Sequence, residues 1–181
     1  MTLGCHRSTP MPRTARLHLA VLFSSLLLGV TLSAQTAHAA GGGGCALPAN
    51  TATMRAELLK GINAERTKRG LTPLRLNAAL DKAAQGHACD NAKRRSVSHD
   101  SSDGSKLQHR LRRVGYDYRT ASENTGRGFG TPKRAVEWWM NSPHHKDNML
   151  MRETRDIGIG IALSPAPENR LHWVIDMGKS D

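Results

Sequence analysis

Apolar residues recur at helical spacing in two segments of the first half of the chain. In residues 53–68 they form one stripe, and Gly70 supplies a stop signal just beyond it. The second segment, residues 78–95, carries small and apolar residues at i, i+4 spacing and follows Asn77, a favourable N-cap. The pattern predicts two amphipathic helices, and it places Cys89 on the buried face of the second.

The periodicity changes in the second half of the chain. Thr131-Pro132 is typical of a helix start, and the helix KRAVEWWMN that follows it stops at Pro143. Residues 156–163 alternate apolar side chains with glycine, and residues 171–177 form a second apolar run across a proline-rich turn. These two runs predict a β-hairpin. Helices in the first part and a hairpin at the end favour an α+β domain.

The N-terminal segment has the three parts of a secretory signal peptide. Three arginines precede an apolar run, residues 17–32, and the small-residue sequence Ala37-His38-Ala39 follows it. The apolar run is shorter than the ~20 residues that a membrane-spanning helix needs. We therefore interpret residues 1–39 as a cleaved signal peptide rather than an anchor, with either Met1 or Met11 as the first residue.

Cleavage at this point defines the expected organisation of the mature chain. Residues 40–52 form a flexible N-terminal tether, and residues 53–181 form one domain. No second apolar run is long enough to cross a bilayer. We expect a monomeric protein that lies outside the cytoplasm, either in the periplasm or secreted.

The chain is strongly basic, with 26 Lys and Arg against 15 Asp and Glu and a formal net charge of +11. The basic residues are scattered, and aromatic residues make up only 4% of the chain. Without aromatic residues between the basic ones, the pattern does not favour nucleic-acid binding. It favours a solvated basic surface with a weak attraction to anionic envelope polymers and lipid headgroups.

The number of cysteines left after cleavage is consistent with an exported protein. Cys5 leaves with the signal peptide, so Cys45 and Cys89 remain in the mature chain. An even pair in an oxidising compartment is most simply one disulfide, and two separate thiols are the alternative.

Three polar clusters stand out at the edges of the predicted elements. They are Ser98-His99-Asp100, Ser122-Glu123-Asn124 and residues 141–148, which follow Trp138-Trp139. Two imidazoles and a carboxylate from separate elements suit zinc, with a fourth position left for water. The same side chains could instead form a hydrogen-bonded network without a metal. The two adjacent tryptophans cannot both face one core, so one of them is expected to line a cleft or an interface.

The motifs SHD, SEN, AVEWWMNSPHHKDNML, DIGIGIAL and HWVIDMG occur in this order and resemble the CAP superfamily. That superfamily includes cysteine-rich secretory proteins, antigen 5 and plant pathogenesis-related proteins, and the resemblance is to its bacterial secreted branch, the SCP-like proteins. It covers residues 54–178. It implies a three-layer α-β-α sandwich with a central antiparallel sheet.

The family's cleft carries two histidines and two glutamates, which bind zinc in some members. The resemblance places the first histidine at His99, the first glutamate at Glu123 and the second histidine at His145. Ser142 stands where the family has its second glutamate, and His144 stands where it usually has glycine. Zn²⁺ is therefore the candidate cofactor, with His144 as an additional candidate ligand.

Three functions fit these observations. The leading hypothesis is a secreted CAP-domain protein, without established catalysis, whose cleft binds a divalent metal, a lipid, a glycan or another envelope component. The second is a zinc-dependent hydrolase of peptides or esters, in which His99 and His145 hold the metal and Glu123 is a ligand or general base; Ser98 or Ser142 as nucleophile is a weaker variant. The third is a basic envelope-binding module that acts through its net charge.

Overall fold

The computed structural model describes residues 45–180. The predicted signal peptide, both candidate start residues and the first part of the predicted tether lie outside the described residues. Within residues 45–180, no helix is both long and apolar enough to span a bilayer.

Five helices and four strands follow one another along residues 45–180. In order they are α1 (Thr51–Thr67), β1 (Arg75–Leu76), α2 (Ala78–Arg94), α3 (Leu107–Arg113), β2 (Tyr118–Arg127), α4 (Pro132–Met140), α5 (Pro143–Met149), β3 (Asp156–Leu163) and β4 (Leu171–Ser180).

The four strands form one sheet in the order β1-β3-β4-β2. The predicted hairpin of β3 and β4 is present, with Ile159 opposite Ile175. Strand β2 pairs antiparallel with β4, with Glu123 opposite Asp176. The sheet differs from the expected antiparallel one at its other edge, where β1 runs parallel to β3. The reason is that the short link between α1 and α2 passes along this edge in the direction of β3.

Helices cover both faces of the sheet, which confirms the three-layer α-β-α sandwich. On one face α1 and α4 supply part of a large core that includes Leu58, Ile62, Trp139, Ile159 and Ile175. On the other face, α2 packs its small residues against β3 and β4 through Ala84, Ala88, Ala162 and Val174.

Glycines in β3 allow α2 to approach the sheet at backbone distance. A Cβ atom at Gly158 would lie 2.0 Å from the carbonyl carbon of Leu80, and one at Gly160 would lie 2.2 Å from the carbonyl oxygen of Ala84. Real Cβ atoms do not come this close to another atom, so only glycine fits at these two positions. The alternation of isoleucine and glycine in β3 therefore places isoleucines on one face of the sheet and glycines on the other. The isoleucines fill the large core, and the glycines admit the helix.

The segment before α1 is attached to the domain at two points. Cys45 and Cys89 form the predicted disulfide, with their Cα atoms 5.2 Å apart. Ala46 forms a backbone bridge with Leu163 of β3. Helix α1 begins at Thr51, two residues before the predicted start of the domain, so the last residues of the predicted tether belong to the folded unit.

Candidate functional site

Glu123 lies at the centre of a polar network formed by three elements. Its side chain, on β2, is 3% exposed. His99, from the loop between α2 and α3, places Nδ1 2.7 Å from Glu123 Oε1. Arg110, on α3, donates from Nη2 to Glu123 Oε2 at 2.5 Å. Both carboxylate oxygens are therefore engaged by cationic or hydrogen-bonding partners.

His87 of α2 extends this network on the buried side. Its Nε2 lies 2.7 Å from the carbonyl oxygen of Ser98 and its Nδ1 lies 3.1 Å from Ser101 Oγ. Because a carbonyl oxygen can only accept, Nε2 carries the proton and Nδ1 accepts from the serine hydroxyl. Burial lowers the pKa of His87, so this imidazole is neutral although it lies 3.8 Å from Glu123 Oε2.

The electrostatics of the network keep Glu123 ionised. Burial alone would raise the pKa of Glu123, but the hydrogen bond from His99 and the charge of Arg110 outweigh it, and the pKa is lowered. The same hydrogen bond raises the pKa of His99 above the usual range for histidine. His99 is 61% exposed at its side chain, so its far nitrogen faces solvent while Glu123 fixes the ring.

A second carboxyl group lies directly behind the first. Asp176 of β4 is opposite Glu123 in register and is fully buried. Among the described residues, neither of its carboxyl oxygens has a hydrogen-bond partner. Burial and the neighbouring charge of Glu123 raise the pKa of Asp176 well above its ordinary value. The pair therefore consists of one ionised and one neutral carboxyl group.

His145 approaches the same region from α5. Its Nδ1 is 2.8 Å from the hydroxyl of Ser142, and its ring centroid is 5.0 Å from that of Trp138. Burial, with smaller contributions from the charges of His99 and His144, lowers the pKa of His145. Ser142 thus acts in this chain as the partner that orients His145.

His99 and His145 line one cleft of about 460 Å³. The other residues of its wall are Val97, Thr125, Gly126, Arg127, Phe129 and Trp138. The two imidazoles have opposite pKa shifts, because His99 is paired with a carboxylate and His145 is not. A ligand in this cleft therefore meets two different imidazoles. His99 is the more easily protonated one, and His145 is the one that stays neutral.

As predicted, one of the two adjacent tryptophans is buried in the core and the other lines a cleft. Trp139 is fully buried, and its indole N–H donates to the carbonyl oxygen of Thr125 at 3.0 Å. Trp138 is 47% exposed and lines the cleft. Its ring centroid is 5.2 Å from that of Phe129, so the two rings form an aromatic wall beside the imidazoles.

The sequence predicted His99, Glu123 and His145, with His144 as an additional candidate, as zinc ligands. Within residues 45–180, no group of three His, Cys, Asp or Glu side chains is placed to hold a metal ion. Glu123 is buried with both oxygens engaged by His99 and Arg110. His144 is exposed on the first turn of α5 and lies outside the set of residues that line the cleft. The structure brings His99 and Glu123 into contact and places His145 in the same cleft as His99.

Sequence reasoning missed the most important partner of Glu123. The charge pattern predicted that the scattered basic residues form a solvated surface, and for Arg110 this was wrong, since Arg110 is only 5% exposed. Its Nη1 also donates to the carbonyl oxygens of His99 and Ser105, so one guanidinium holds both the carboxylate and the loop. A signal was present, because position 110 lies on the same helical face as the apolar residues Leu107 and Leu111.

An α-β-α sandwich, with a cleft lined by two histidines beside the edge strand β2, defines the class of this protein. The chain belongs to the CAP group, the cysteine-rich secretory protein family, whose family model matches residues 59–177.

Two curated relatives are known only in general terms. The chain is 32% identical over 113 residues to the uncharacterized protein YkwD of Bacillus subtilis, a match that covers 62% of this chain and 44% of YkwD. It is 29% identical over 109 residues to the uncharacterized membrane protein YlbC of the same organism, covering 60% of this chain and 32% of YlbC. The chain spans less than half the length of these curated relatives.

Solved structures confirm the fold. An outer surface protein of Borrelia burgdorferi is similar with a TM-score of 0.68 and 23% identity, over 76% of this chain and 99% of that one. An extracellular protein containing an SCP domain from Bacillus anthracis is similar with a TM-score of 0.62 and 21% identity, over 74% of this chain and 45% of that one.

Proposed function

We propose that this CAP domain works outside the cytoplasm as a binding module, and that its cleft takes an amphipathic lipid or envelope component. The observation that carries the proposal is the placement of two imidazoles and a half-exposed tryptophan in one cleft. Pockets that bind small ligands combine an apolar wall with a few fixed polar groups. This cleft has both.

The polar end of the cleft is held in place before any ligand arrives. Glu123 fixes the ring of His99, and Arg110 fixes Glu123. Ser142 orients the ring of His145. Side chains that are already ordered lose little conformational freedom on binding, which favours affinity. A ligand with a hydrogen-bonding or anionic head group meets two prepared partners.

The apolar side of the cleft is unusually open to solvent. Trp138 is 47% exposed and Val97 is 52% exposed, and Phe129 contacts Trp138 across the wall. Covering this apolar surface with an alkyl chain or a flat ring removes it from water. The location outside the cytoplasm is supported by the Cys45–Cys89 disulfide, a bond that persists in oxidising compartments.

Intrinsic fluorescence provides a direct test, because Trp138 is exposed whereas Trp139 and Trp173 are fully buried. Dodecyl phosphate and dodecyl maltoside, each below its critical micelle concentration, are suitable probes. A bound amphiphile should shift the emission of Trp138 to shorter wavelength and protect it from acrylamide quenching.

The matched pair of variants is His145→Gln and His144→Gln, which change adjacent residues of the same type. His145 lines the cleft and His144 does not. We expect His145→Gln to weaken dodecyl phosphate binding about tenfold, equivalent to one good polar contact, and His144→Gln to leave it unchanged. The proposal fails if no amphiphile changes the emission of Trp138, or if the two variants behave alike.

The two alternative functions have less support. A zinc-dependent hydrolase needs three protein ligands around one metal, and among the described residues no group of three His, Cys, Asp or Glu side chains is placed to hold one. A module that acts through net charge alone needs no preformed cleft, and it leaves the buried arrangement of Arg110 and Glu123 without a role. Salt-sensitive binding that survives His145→Gln would favour this last alternative.

A further inference from the structure

Three arginines from separate parts of the fold converge on one carboxylate at the turn between β3 and β4. Glu168, in this turn, forms a close ion pair and hydrogen bond with Arg127 Nη2 of β2. Arg95 at the C-cap of α2 and Arg170 beside β4 each place Nε 3.8 Å from a Glu168 carboxylate oxygen. These three arginines and Glu168 are called here the arginine cluster.

The arginine cluster carries more positive charge than its glutamate can neutralise. One carboxylate among three guanidinium groups leaves a net charge of +2 in a small volume. The 3.8 Å contacts of Arg95 and Arg170 exceed hydrogen-bond distance, so these two side chains retain donors that do not bind Glu168. Their side chains are 47% and 61% exposed. An anion from solvent can therefore reach the cluster.

The backbone at Arg95 is a second, independent observation. This residue ends α2 with φ +54°, in the left-handed region. Glycine or asparagine is the usual residue at such a position, because a side chain in this conformation is strained. The unfavourable backbone delivers the Arg95 side chain to the β3–β4 turn, where its Nη2 is 3.3 Å from the carbonyl oxygen of Ala166.

The arginine cluster is continuous with the cleft. Arg127 belongs to the cluster and also lines the cleft beside His99, His145 and Phe129. The guanidinium of Arg170 is adjacent as well, because a Cβ atom at Gly128 would lie 3.8 Å from Arg170 Nη1. Arg95 and Arg170 are not among the residues that line the cleft, so a ligand that lies along Phe129 reaches the arginine cluster through Arg127.

We propose that Arg95, Arg127 and Arg170 form an anion-binding subsite at this end of the cleft, which takes the phosphate group of an amphipathic ligand. The planar guanidinium fork matches phosphate oxygens and makes charge-assisted hydrogen bonds with them. The subsite rests on the proposed function, since it selects which amphiphile the cleft retains. In that complex the apolar chain lies against Trp138 and Phe129.

The test compares three probes by isothermal titration of the purified, oxidised protein: dodecyl phosphate, dodecyl maltoside and inorganic phosphate. Arg170→Gln and Arg95→Asn each remove one charge of the subsite, and asparagine is readily accommodated at the positive φ of position 95. Arg112→Gln is the control, since it removes the same charge from an exposed residue that lines a different cavity.

We expect Arg170→Gln and Arg95→Asn each to weaken dodecyl phosphate binding by about tenfold, the loss of one charge-assisted contact, with dodecyl maltoside unaffected. Arg112→Gln should change neither affinity by more than about twofold, because exposed charges are screened. Glu168→Gln should strengthen dodecyl phosphate binding, since it removes the competing carboxylate. A gain in affinity cannot arise from a variant that has merely lost its fold.

The outcomes separate the subsite from the proposed function. If the two cluster variants match Arg112→Gln while His145→Gln still weakens dodecyl phosphate, the subsite is refuted and the cleft remains a binding site. If neither amphiphile binds the wild-type protein, the proposed function fails, and inorganic phosphate tests the subsite alone. Phosphate binding that Arg170→Gln weakens then supports the subsite as a site for free anions, and no phosphate binding overturns it.

Discussion

Replacement of Arg66 should destabilise the fold more than replacement of any exposed arginine. This residue of α1 is fully buried, which is unusual for a guanidinium group. It donates four hydrogen bonds to backbone carbonyl oxygens, those of Thr72, Met149, Met151 and Thr154. The contacts join the end of α1 to the segment between α5 and β3. Burial lowers the pKa of Arg66, with a smaller contribution from the charge of Arg155.

The magnitude follows from the carbonyl groups that lose their donor. Arg66→Met fills the space with an apolar side chain and leaves the carbonyl oxygens of Thr72 and Met149 unpaired, whereas those of Met151 and Thr154 keep bonds from Thr154 Oγ1 and Arg155 Nη1. At about 1 kcal/mol for each buried group left unpaired, the low end of the usual range, the loss comes to about 2 kcal/mol. Relief from burying a charge opposes this loss. The opposing contribution is limited here, because the guanidinium is solvated by four carbonyl dipoles in the folded state.

The assay is urea unfolding followed by tryptophan fluorescence and far-UV circular dichroism, with the disulfide oxidised throughout. Arg69→Met is the matched control, three residues along the same chain segment. Arg69 is exposed and pairs with Glu65 at 2.8 Å, and exposed pairs of this kind contribute about 0.2–1 kcal/mol. Arg66→Lys should also be destabilised, since one ammonium group has three donors for four carbonyls and is more strongly hydrated.

A small effect would refute the reasoning. If Arg66→Met unfolds within about 1 kcal/mol of the wild-type protein and of Arg69→Met, the carbonyl oxygens must obtain other donors at little cost. The guanidinium would then be a tolerated polar group and not the connection between α1 and the β3 side of the domain. An unchanged m-value is needed for this comparison, because a changed one would indicate a different unfolded or native state.

Three other changes test the packing and the electrostatics of the site. Gly158→Ala should prevent normal folding, because the added Cβ would lie 2.0 Å from the backbone of Leu80; a wild-type melting curve would contradict the close approach of α2. Asp176→Asn should become more stable relative to the wild-type protein as the pH rises from about 4 to 7. The pKa of Asp176 is raised in the folded state, so the carboxyl group ionises at lower pH in the unfolded chain than in the folded one. The folded wild-type protein therefore loses stability over this range, and the asparagine variant does not. Urea unfolding at both ends of that range measures the difference, and a constant difference would contradict the neutral form of Asp176. Zinc added to the chelator-stripped protein should give no stoichiometric heat of binding, because no three His, Cys, Asp or Glu side chains of residues 45–180 are placed to hold a metal ion; stoichiometric binding that disappears in His145→Ala would establish a metal site.

Much of the scaffold could be predicted from local patterns. Asn77 caps α2 as expected, with its side chain accepting from the amides of Ala79 and Leu80. The apolar alternation of residues 156–163 predicts β3 with the bounds that it has in the structure. Such features depend on neighbours within a few residues along the chain, so a linear pattern contains them. The two-residue strand β1 and the short helix α5 carried too little periodicity to be predicted.

Only some of the residues of the candidate site could be predicted from the sequence. Family resemblance identified His99, Glu123 and His145, and the structure brings His99 and Glu123 into contact beside a cleft that His145 also lines. It did not reveal that Arg110 would be buried against Glu123, or that Asp176 would lie behind it as a neutral acid. Nothing in the sequence pattern indicates the charge state of a carboxyl group in a strand.

By itself, the sequence determined most of the helices and strands, the two candidate disulfide cysteines and the residue types available to the cleft. Only the tertiary structure decided how these residues act, because ionisation and burial depend on groups that are distant in the chain and close in space. Glu123 is adjacent to Asp176 through strand pairing alone. The arginine cluster likewise exists only where the end of α2, strand β2 and the β3–β4 turn come together. Charge interactions act over a few ångströms in space, so they are set by the fold and not by sequence spacing.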